Sequence, residues 1–600
     1  MRSRHALRVL FGLLFAGLSA ACGDSSNPKS SDSLSDTERD LGPDTPSDVD
    51  RDTAPDDPDT TLAETDIGPA LCPPAAGGHQ TAFDRRPEPA RPGALAADFD
   101  VETLAGRFHL AERWDGCSSV VVFVHFPGLT DNLWRSDTSL LFTEGHDHVD
   151  YLFVSDATDP EQRVTDLLVA ERSIEAALKT VVRDEPTRQR WRTQIHYVTG
   201  RARELEGGLG DYIRSEIAFG QTEDSQVDLG DRGVVGLPAP IVFGIDREQR
   251  FDPGDSLAPA VGLDETLSMA AFLPRFYAFR ATTAQARRAE TTNRFALYDA
   301  VTTSRVLDVD WLPPEGLMIE RLDFRDNPSE APPRVEATRA YLDLEVTCDE
   351  RNPFACSEWD RIANVFLCTT SDCGETLELA RWITPYWRRG LQRYRLELSH
   401  LLPLIDTAKR LRIVLGPDWE RPTPWHIRAS IHLAHDPDHI PPRGVIPLFG
   451  SAAFDDTYPR NLTITVPAEA TRVEVHALIS GHGQTASDNC AEWCDHRHVI
   501  AIDGAPAADF SHGVQSGPAI GEPRGCAQQA DRGVIPGQWG NWAQQRAYWC
   551  PGLPVDWQVV DLGSALSPGQ DHLFELTGTL GESTPPRGGD IAFTSYLVWY

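Results

Sequence analysis

The sequence predicts a multi-domain protein in which an α/β domain is followed by two all-β antiparallel sandwiches. The chain has 600 residues, 40% of them hydrophobic and 24% charged, so several cores are possible and a wholly disordered chain is excluded. Strand-like and helix-like stretches alternate over residues 72–288, which indicates an α/β layer structure. From residue 291 onward, short strand-like runs are separated by Pro, Gly and Asn, a pattern typical of antiparallel sandwiches.

The N-terminus has the features of an export signal. Three arginines precede the apolar run Val9–Leu18, and small residues follow it up to Ala21. Cys22 comes next, and this arrangement resembles a bacterial lipobox in which Cys22 is the acylated first residue of the mature chain. The sequence therefore predicts a signal peptide over residues 1–21 and an exported lipoprotein of the bacterial outer membrane or cell surface. Plain secretion is the alternative.

Negative charge is concentrated in residues 22–71, which we expect to form a disordered tether. This stretch holds 14 acidic residues against three basic ones and no aromatic side chain, so it cannot bury enough apolar surface to offset the entropy of ordering. The whole chain has a net charge of -35. Such a surface repels phosphate backbones, which argues against a nucleic-acid partner. The lipid anchor is the only membrane contact that we expect.

The domain predicted over residues 72–288 combines β-rich runs with a long helix. The strand candidates are Val120–Phe126, Tyr151–Ser155 and Ile241–Ile245, and the helix candidate is Glu161–Val182. The segments FDVETLAGRFHL, VVVFVHF and LPAPIVFGID resemble a thioredoxin-like domain in their order. Where that family carries its redox CxxC, this chain has FPGLTD, without a cysteine. We therefore expect a degenerate accessory or binding domain rather than a redox enzyme.

The cysteines predict disulfides. With Cys22 set aside, ten of the 11 cysteines remain, an even number that favours disulfides in an exported chain. A zinc site is the alternative for CAEWC with His496 and His498, but the short spacing and the lack of a second close cysteine pair argue against it. The suggested pairs are Cys348 with Cys356, Cys368 with Cys373, Cys490 with Cys494, Cys526 with Cys550, and Cys72 with Cys117.

Four motifs in the β-rich half combine Trp with acidic residues or Arg: CSEWDRIANV, RWITPYW, ISGHGQTASDNCAEWCDHRHVIAID and PGQWGNWAQQRAYWCPG. Indole faces stack on pyranose rings and charged groups bind sugar hydroxyls, so the set predicts a sugar-binding cleft. Core aromatics with surface charges are the alternative for any one motif. In this order and nearly verbatim, the motifs resemble the peptide-N-glycosidase F family, the amidases that remove N-linked glycans from asparagine. The resemblance covers residues 291–600, a length that is nearly the whole of an enzyme of that family.

The resemblance implies two eight-stranded jelly rolls, over residues 291–438 and 439–600, with the active site in the cleft between them. It also implies that no metal or cofactor takes part. We expect a monomer whose substrates are N-glycosylated proteins or glycopeptides. Carried over one at a time, Asp360 and Glu492 fall on active-site carboxylates, and Arg546 falls on an active-site arginine. The residues expected to contact substrate are Trp359, Arg361, Trp493, Trp549, His482 and Asp418.

Amide hydrolysis requires the kinds of group that these three positions supply. A carboxylate relays protons to or from water and the leaving amine. An arginine binds the negative charge that develops on the carbonyl oxygen. Which of Asp360 and Glu492 is the acid and which the base stays open at this point.

One departure from the family pattern concerns a further active-site Glu. Depending on the alignment, this chain has Gly416 or Pro417 at that position, and neither can ionise. Asp418 or Glu420, on a displaced loop, are the candidate replacements. A glycan-binding lipoprotein that has lost catalysis is therefore the alternative function.

Histidines in the second predicted sandwich raise two further points. His482 and Gln484 stand where the family has Trp and His, which alters the expected sugar-contacting surface. The HRH sequence at His496 and His498 raises a copper monooxygenase as another alternative, because such enzymes share the paired jelly-roll plan. Their usual Met ligand is missing, since no Met lies in the second sandwich. Residues two apart on a strand share a face, so we expect both histidines at the surface or cleft rim.

Overall fold

A computed structural model describes parts of the chain between Cys72 and Tyr600. All of the described residues belong to one compact unit, Pro69–Tyr600. The signal sequence, Cys22 and the acidic stretch lie outside them. Among the described residues, no helix is both long and apolar enough to cross a membrane. The described residues are 72, 80–86, 88–221, 226–228, 234–236, 240–255, 263–289, 294–311, 337–348, 360–385, 391–416, 424–482, 490–512, 525–537, 542–544, 546–586 and 588–600.

The N-terminal α/β unit is built on a mixed sheet. Its strands are β1 (Asp100–Thr103), β2 (Gly106–His109), β3 (Ser119–His125), β4 (Val149–Ser155), β5 (Ile195–Val198), β6 (Gln226–Asp228), β7 (Val234–Gly236), β8 (Val242–Ile245) and β9 (Phe251–Asp255). The seven-stranded sheet has the order β2-β1-β5-β4-β3-β8-β9, and β6 pairs with β7 separately. β3, β4 and β5 run parallel. Every residue of β3 and β4 is buried, as expected for central strands that are covered on both faces.

Helices cover this sheet. The helix predicted over Glu161–Val182 is observed at Pro160–Val181, and it begins after Asp159, whose side chain accepts a hydrogen bond from the Glu161 N–H. The predicted strands and helix of this unit agree with the observed ones to within about two residues, which confirms the α/β prediction. The thioredoxin-like classification stays a prediction. The other α-helices described in this unit are Leu110–Arg113, Leu140–Thr143, Glu185–Thr193, Gly207–Phe219 and Leu263–Ala289.

The first β-unit consists of two antiparallel sheets that enclose one core. Its strands are β10 (Arg294–Thr302), β11 (Val306–Asp310), β12 (Arg339–Cys348), β13 (Ile362–Cys368), β14 (Thr376–Ile383), β15 (Leu391–Glu397), β16 (Arg410–Val414) and β17 (Trp425–Ala434). The sheet orders are β10-β17-β12-β15 and β11-β16-β13-β14. Leu342, Val365 and Ile431 come from both sheets and belong to one apolar cluster, so the unit is a sandwich. A short helix, Leu402–Thr407, precedes β16.

The second β-unit repeats this plan. Its strands are β18 (Gly444–Pro447), β19 (Ala452–Ala453), β20 (Arg460–Thr465), β21 (Val473–His482), β22 (His496–Ile502), β23 (Ala505–His512), β24 (Trp557–Asp561), β25 (Asp571–Leu580) and β26 (Asp590–Trp599). One sheet has the order β18-β26-β21-β24, with β19 beside β26, and the other has the order β20-β25-β22-β23. Val475, Ile500 and Phe574 lie in its core. Two antiparallel sandwiches are thus confirmed, and the jelly-roll topology stays a prediction.

A buried ion pair joins the two sandwiches. Arg381 on β14 forms hydrogen bonds of 2.9 Å and 2.6 Å to the carboxylate of Glu378. It also donates to the Ser480 hydroxyl at 2.9 Å and to the Ala592 carbonyl at 2.5 Å, both in the second sandwich. Tyr596 of β26 packs into the core of the first sandwich. A buried charge needs such partners, so this network fixes how the two sandwiches meet.

Four of the five predicted disulfides are present and confirmed. The fifth pair lies outside the described residues because Cys356 does. The bridges are Cys72–Cys117, Cys368–Cys373, Cys490–Cys494 and Cys526–Cys550.

Candidate active site

Asp360 stands at the edge of the first sandwich, two residues before β13. The backbone of the neighbouring Arg361 forms two hydrogen bonds with Thr384, which follows β14. The Arg361 N–H donates to the Thr384 hydroxyl at 2.8 Å, and the Thr384 N–H donates to the Arg361 carbonyl at 2.9 Å. These bonds close the end of the β13–β14 pair. They fix the backbone from which Asp360 reaches toward the second sandwich.

Glu492 lies on a one-turn helix, Cys490–Trp493, between β21 and β22. The disulfide Cys490–Cys494 closes this turn, and the Cys494 N–H donates to the Cys490 carbonyl at 2.9 Å. The Glu492 carbonyl accepts a hydrogen bond of 3.0 Å from the Ala547 N–H. The covalent closure and the backbone bond together hold the carboxylate against the segment that carries Arg546.

Arg546 is presented by a tight turn. Tyr548 has a φ of 67°, a left-handed conformation that a bulky side chain rarely adopts. The Tyr548 hydroxyl donates to the Phe510 carbonyl at 2.8 Å. Arg546 and Trp549 pair across the turn as an isolated β-bridge, so their side chains lie together. An unusual backbone conformation persists only where the surrounding structure holds it, and the bond to Phe510 holds the one at Tyr548.

The Arg546 guanidinium is fully buried and lies between two indole rings. Its central carbon is 4.8 Å from the ring centre of Trp493 and 4.7 Å from that of Trp549. Desolvated cation–π contacts of this kind contribute about 2 kcal/mol. Nη1 donates to the Gln544 carbonyl at 3.1 Å. The two rings exclude water from the cation and fix its plane.

Both predicted carboxylates contact this cation. Nε of Arg546 is 3.1 Å from Oε1 of Glu492, and Nη2 of Arg546 is 3.8 Å from Oδ2 of Asp360. Each carboxylate side chain is 10% exposed, whereas the arginine is 0% exposed. The structure therefore brings together three residues that are far apart in the sequence, one from the first sandwich and two from the second.

His482, at the end of β21, lies on the other side of Trp549. The two rings stack with centres 5.2 Å apart, and His482 Nε2 is 2.8 Å from the Ser480 hydroxyl. Burial, reinforced by the positive charge of Arg381, lowers the pKa of His482 to about 3. Its imidazole is therefore neutral at ordinary pH. Ser480 thus links His482 to the buried ion pair between the sandwiches.

A cleft of about 730 Å³ opens between the sandwiches, and His482 lines it. Its walls include Asn364 and Glu378 from the first sandwich and His482 and Asp590 from the second. Arg381 also lines it. A cleft with these polar groups offers hydrogen bonds to a hydroxyl-rich ligand.

The sequence motifs predict the three charged residues but not the contacts that support them. Arg381 belongs to the motif RWITPYW, but no local pattern predicts that it bonds to Ser480 in the other sandwich. Trp549 is only 5% exposed, and its Nε1–H donates to the Gly481 carbonyl at 2.9 Å. Trp359 and Asp418 lie outside the described residues. Arg361 is half-buried beside Asp360.

His496 and His498 correct an expectation. Both are buried in the second sandwich, so their prediction as surface or cleft-rim residues is wrong. Nδ1 of His496 is 3.2 Å from Nε2 of His498, whose Nδ1 is 2.7 Å from the Tyr458 hydroxyl. The face of β22 that they share turns inward rather than outward. Cys490 and Cys494 are bonded to each other, so they offer no thiolates to zinc.

Comparison with known proteins finds relatives of the C-terminal half of the chain. The family model described as peptide-N-glycosidase F, C terminal, matches residues 451–598. The C-terminal half of the chain is thus similar to peptide-N-glycosidase F, and the family resemblance seen in the motifs is confirmed. Peptide-N(4)-(N-acetyl-beta-D-glucosaminyl)asparagine amidase F of Elizabethkingia miricola is 29% identical over 232 residues, which are 35% of this chain and 60% of that protein. The match therefore spans less than two thirds of that relative.

Solved structures give similar matches. Recombinant N-glycanase F has a TM-score of 0.38 at 20% identity, covering 51% of this chain and 94% of its own. The glycosylasparaginase PNGase F of Flavobacterium meningosepticum has a TM-score of 0.37 at 21% identity, covering 51% and 94%. PNGF-II has a TM-score of 0.37 at 12% identity, covering 53% and 67%.

Proposed function

We propose that the protein is an exported glycoamidase that hydrolyses the amide between asparagine and the first N-acetylglucosamine of N-linked glycans. The observation that carries the proposal is the contact of Arg546 with Asp360 and Glu492 in one buried cluster between two sandwiches. The name of the Elizabethkingia relative specifies this bond. The products are the free glycan, released as a glycosylamine, and a protein with aspartate in place of asparagine.

Each charged group has a task in this reaction. One residue, as a carboxylate, accepts a proton from the attacking water, and the other, as a protonated carboxylic acid, donates a proton to the departing glycosylamine nitrogen. Arg546 stabilises the negative charge on the amide oxygen in the transition state. Its contact with Asp360, at 3.8 Å, is longer than a direct hydrogen bond. We propose that the amide oxygen of the substrate approaches Arg546 here, between the guanidinium and Asp360.

The aromatic residues divide into two roles. Trp549 is nearly inaccessible and contacts both Arg546 and His482, so it supports the cation. Trp493 is half-buried, and together with His482 and Arg361 it supplies surface for the sugar. Trp359 and Asp418 complete the proposed substrate-binding set.

The remaining features fit an enzyme that works outside the cytoplasm. The apolar N-terminal run and Cys22 support export with a lipid anchor, and the disulfides support an oxidising compartment. We take N-glycosylated proteins or glycopeptides as substrates and the monomer as the active form. We also take the α/β unit to be a degenerate thioredoxin-like domain and each sandwich to be a jelly roll.

The test is incubation of the purified protein with an N-glycopeptide in heavy-oxygen water. We expect mass spectrometry to detect free glycan and one heavy oxygen in the new aspartate. The same peptide carrying an O-linked glycan is the control and should remain intact. Failure to release any of several N-glycan types, by protein shown to be folded, would contradict the proposal.

A second candidate, a glycan-binding lipoprotein without catalysis, has one observation in its favour. Gly416 follows β16 with a φ of 132° and carries no carboxylate where the related family has a further active-site Glu. Glycan-array binding without turnover, unchanged in Asp360→Asn, would select this function over the first.

A further inference from the structure

The α/β unit shares its core with the segment that carries the catalytic arginine. The long helix Leu263–Ala289 of that unit places Phe272 edge-to-face against Trp542, with ring centres 6.0 Å apart. Both rings are almost completely buried. Cys526 and Cys550 belong to the same apolar cluster as the strands of the α/β sheet. This contact is continuous with the core and is not a loose docking of two domains.

Two more contacts follow along the same face of the helix. Arg275, one turn further on, places a terminal nitrogen 3.1 Å from Oδ2 of Asp531. Phe279, another turn on, approaches Gly533 so closely that a Cβ there would lie 2.8 Å from its ring. Gly533 also has a φ of 118°. Glycine suits this position because it adopts a positive φ without strain and has no Cβ to meet the Phe279 ring. Spacing of three and four residues places all three helix residues on one face.

The segment from Cys526 to Cys550 has little secondary structure of its own. Its described part contains one 3₁₀ helix, Ala527–Arg532, and no strand ladder. The disulfide joins its two ends, and the Ala527 N–H donates to the Ala543 carbonyl at 3.2 Å. Such segments derive their order from packing, and here the helix provides that packing.

The residues that directly follow this segment are bonded to the first sandwich. The Gly552 N–H donates to the Ile383 carbonyl at 2.8 Å, and the Ile383 N–H donates to the Leu553 carbonyl at 3.2 Å. Ile383 precedes Thr384, which holds the backbone beside Asp360. Arg546 and Trp549 therefore lie on a turn held between the α/β helix and the strand that neighbours Asp360.

We propose that the α/β unit positions the catalytic arginine, and that Phe272 is a positioning residue which acts through Trp542. The inference rests on the proposed glycoamidase function for its kinetic consequence. Loss of the Phe272 ring loosens the bridged segment, which is the stretch from Cys526 to Cys550 closed by the disulfide. The guanidinium of Arg546 then moves relative to its two carboxylates. Small misplacements of catalytic groups cost up to about 10²-fold in rate, whereas substrate contacts elsewhere in the cleft stay intact.

The experiment compares Phe272→Ala with Phe108→Ala and the wild type, all as full-length protein. Phe108 lies in the same core but on β2, at the far end of the sheet, where its ring neighbours are Phe99 and His196. We expect Phe272→Ala to lower kcat about tenfold or more with KM changed less than about threefold. Phe108→Ala should keep kcat within about twofold, and Phe272→Leu should recover most of the loss.

Hydrogen exchange supplies a readout that needs no activity. The amides of residues 526–550 should exchange faster in Phe272→Ala and unchanged in Phe108→Ala, at a temperature where both are folded. Equal kinetic losses in the two alanine variants, or unchanged exchange across the bridged segment, would overturn the inference. If the wild type releases no glycan, the proposed function fails while the exchange result still decides this inference.

Discussion

Nε of Arg546 lies 3.1 Å from Oε1 of Glu492, and this pair is enclosed by the indoles of Trp493 and Trp549. A charge-assisted hydrogen bond in such surroundings is stronger than one in water. The planar guanidinium also contacts Asp360 and fits between flat rings. A lysine ammonium is a compact point charge, without the planar shape and the fixed set of donors that a guanidinium has.

Arg546→Lys should therefore lower kcat/KM about 10²-fold or more, although the charge is kept. Steady-state release of glycan from a labelled N-glycopeptide measures the effect. Arg497→Lys is the matched control, because Arg497 is an exposed arginine of the same sandwich paired with Asp509. Activity of Arg546→Lys within a few-fold of wild type would show that neither the contacts of one guanidinium with two carboxylates nor its stacking between the indoles is important.

The disulfide beside Glu492 should affect both the rate and the stability. Replacing Cys490 and Cys494 by serine should cost about 2 kcal/mol of unfolding free energy, the loop-entropy value for so short a loop. It should also lower kcat about tenfold, because Glu492 loses its rigid support. Replacing Cys368 and Cys373, which close a loop of similar length, should cost similar stability with kcat unchanged. Equal kcat in the two double variants would contradict this role.

His482 should influence binding without acting as a titrating group. Because burial lowers its pKa to about 3, it stays neutral across the working range of pH. His482→Asn should raise KM about five- to tenfold through loss of the Trp549 stack. The pH profiles of kcat for wild type and variant should have the same shape between about pH 5 and 9. If the wild-type pH profile of kcat has a limb near the ordinary histidine pKa and the profile of the variant lacks it, this prediction is contradicted.

The buried pair His496 and His498 should make the fold acid-sensitive. Burial lowers the pKa of His496 to about 4, so the unfolded chain binds a proton that the folded chain does not. The free energy of unfolding should fall by up to about 3 kcal/mol for this group as pH drops from about 6.5 to 4. Urea unfolding of His496→Gln should show a correspondingly shallower fall. If the free energy of unfolding falls equally with pH in the wild type and in His496→Gln, His496 does not contribute to the acid sensitivity.

Local sequence patterns predicted most of the secondary structure. β3 and β4 are continuous apolar runs, and β13 alternates along its length, so each has its own periodic signal. The charged residues of the site were accessible because Asp360, Glu492 and Arg546 stand inside motifs that resemble a known family. That resemblance, rather than periodicity, placed them in one cleft.

The contacts that support the site could not be predicted in this way. Arg381 reaches Ser480 across 99 positions of sequence, and no local pattern encodes such a pairing. The burial of His496 and His498 depends on which face of β22 meets the core, which alternation alone leaves ambiguous when both faces carry mixed residues. The core shared by Phe272 and Trp542 joins residues that the sequence assigned to separate domains.

The most direct test of the account is kcat/KM for glycan release by wild type beside Asp360→Asn, which keeps the size of the side chain and removes its charge. Asp308→Asn, an ion-paired surface position on β11, is the control. The account predicts release by wild type and by the control, and a loss of about 10³-fold in Asp360→Asn, within the range for an acid–base group. Equal rates in all three proteins, or no release by any of them while they are folded, would contradict it.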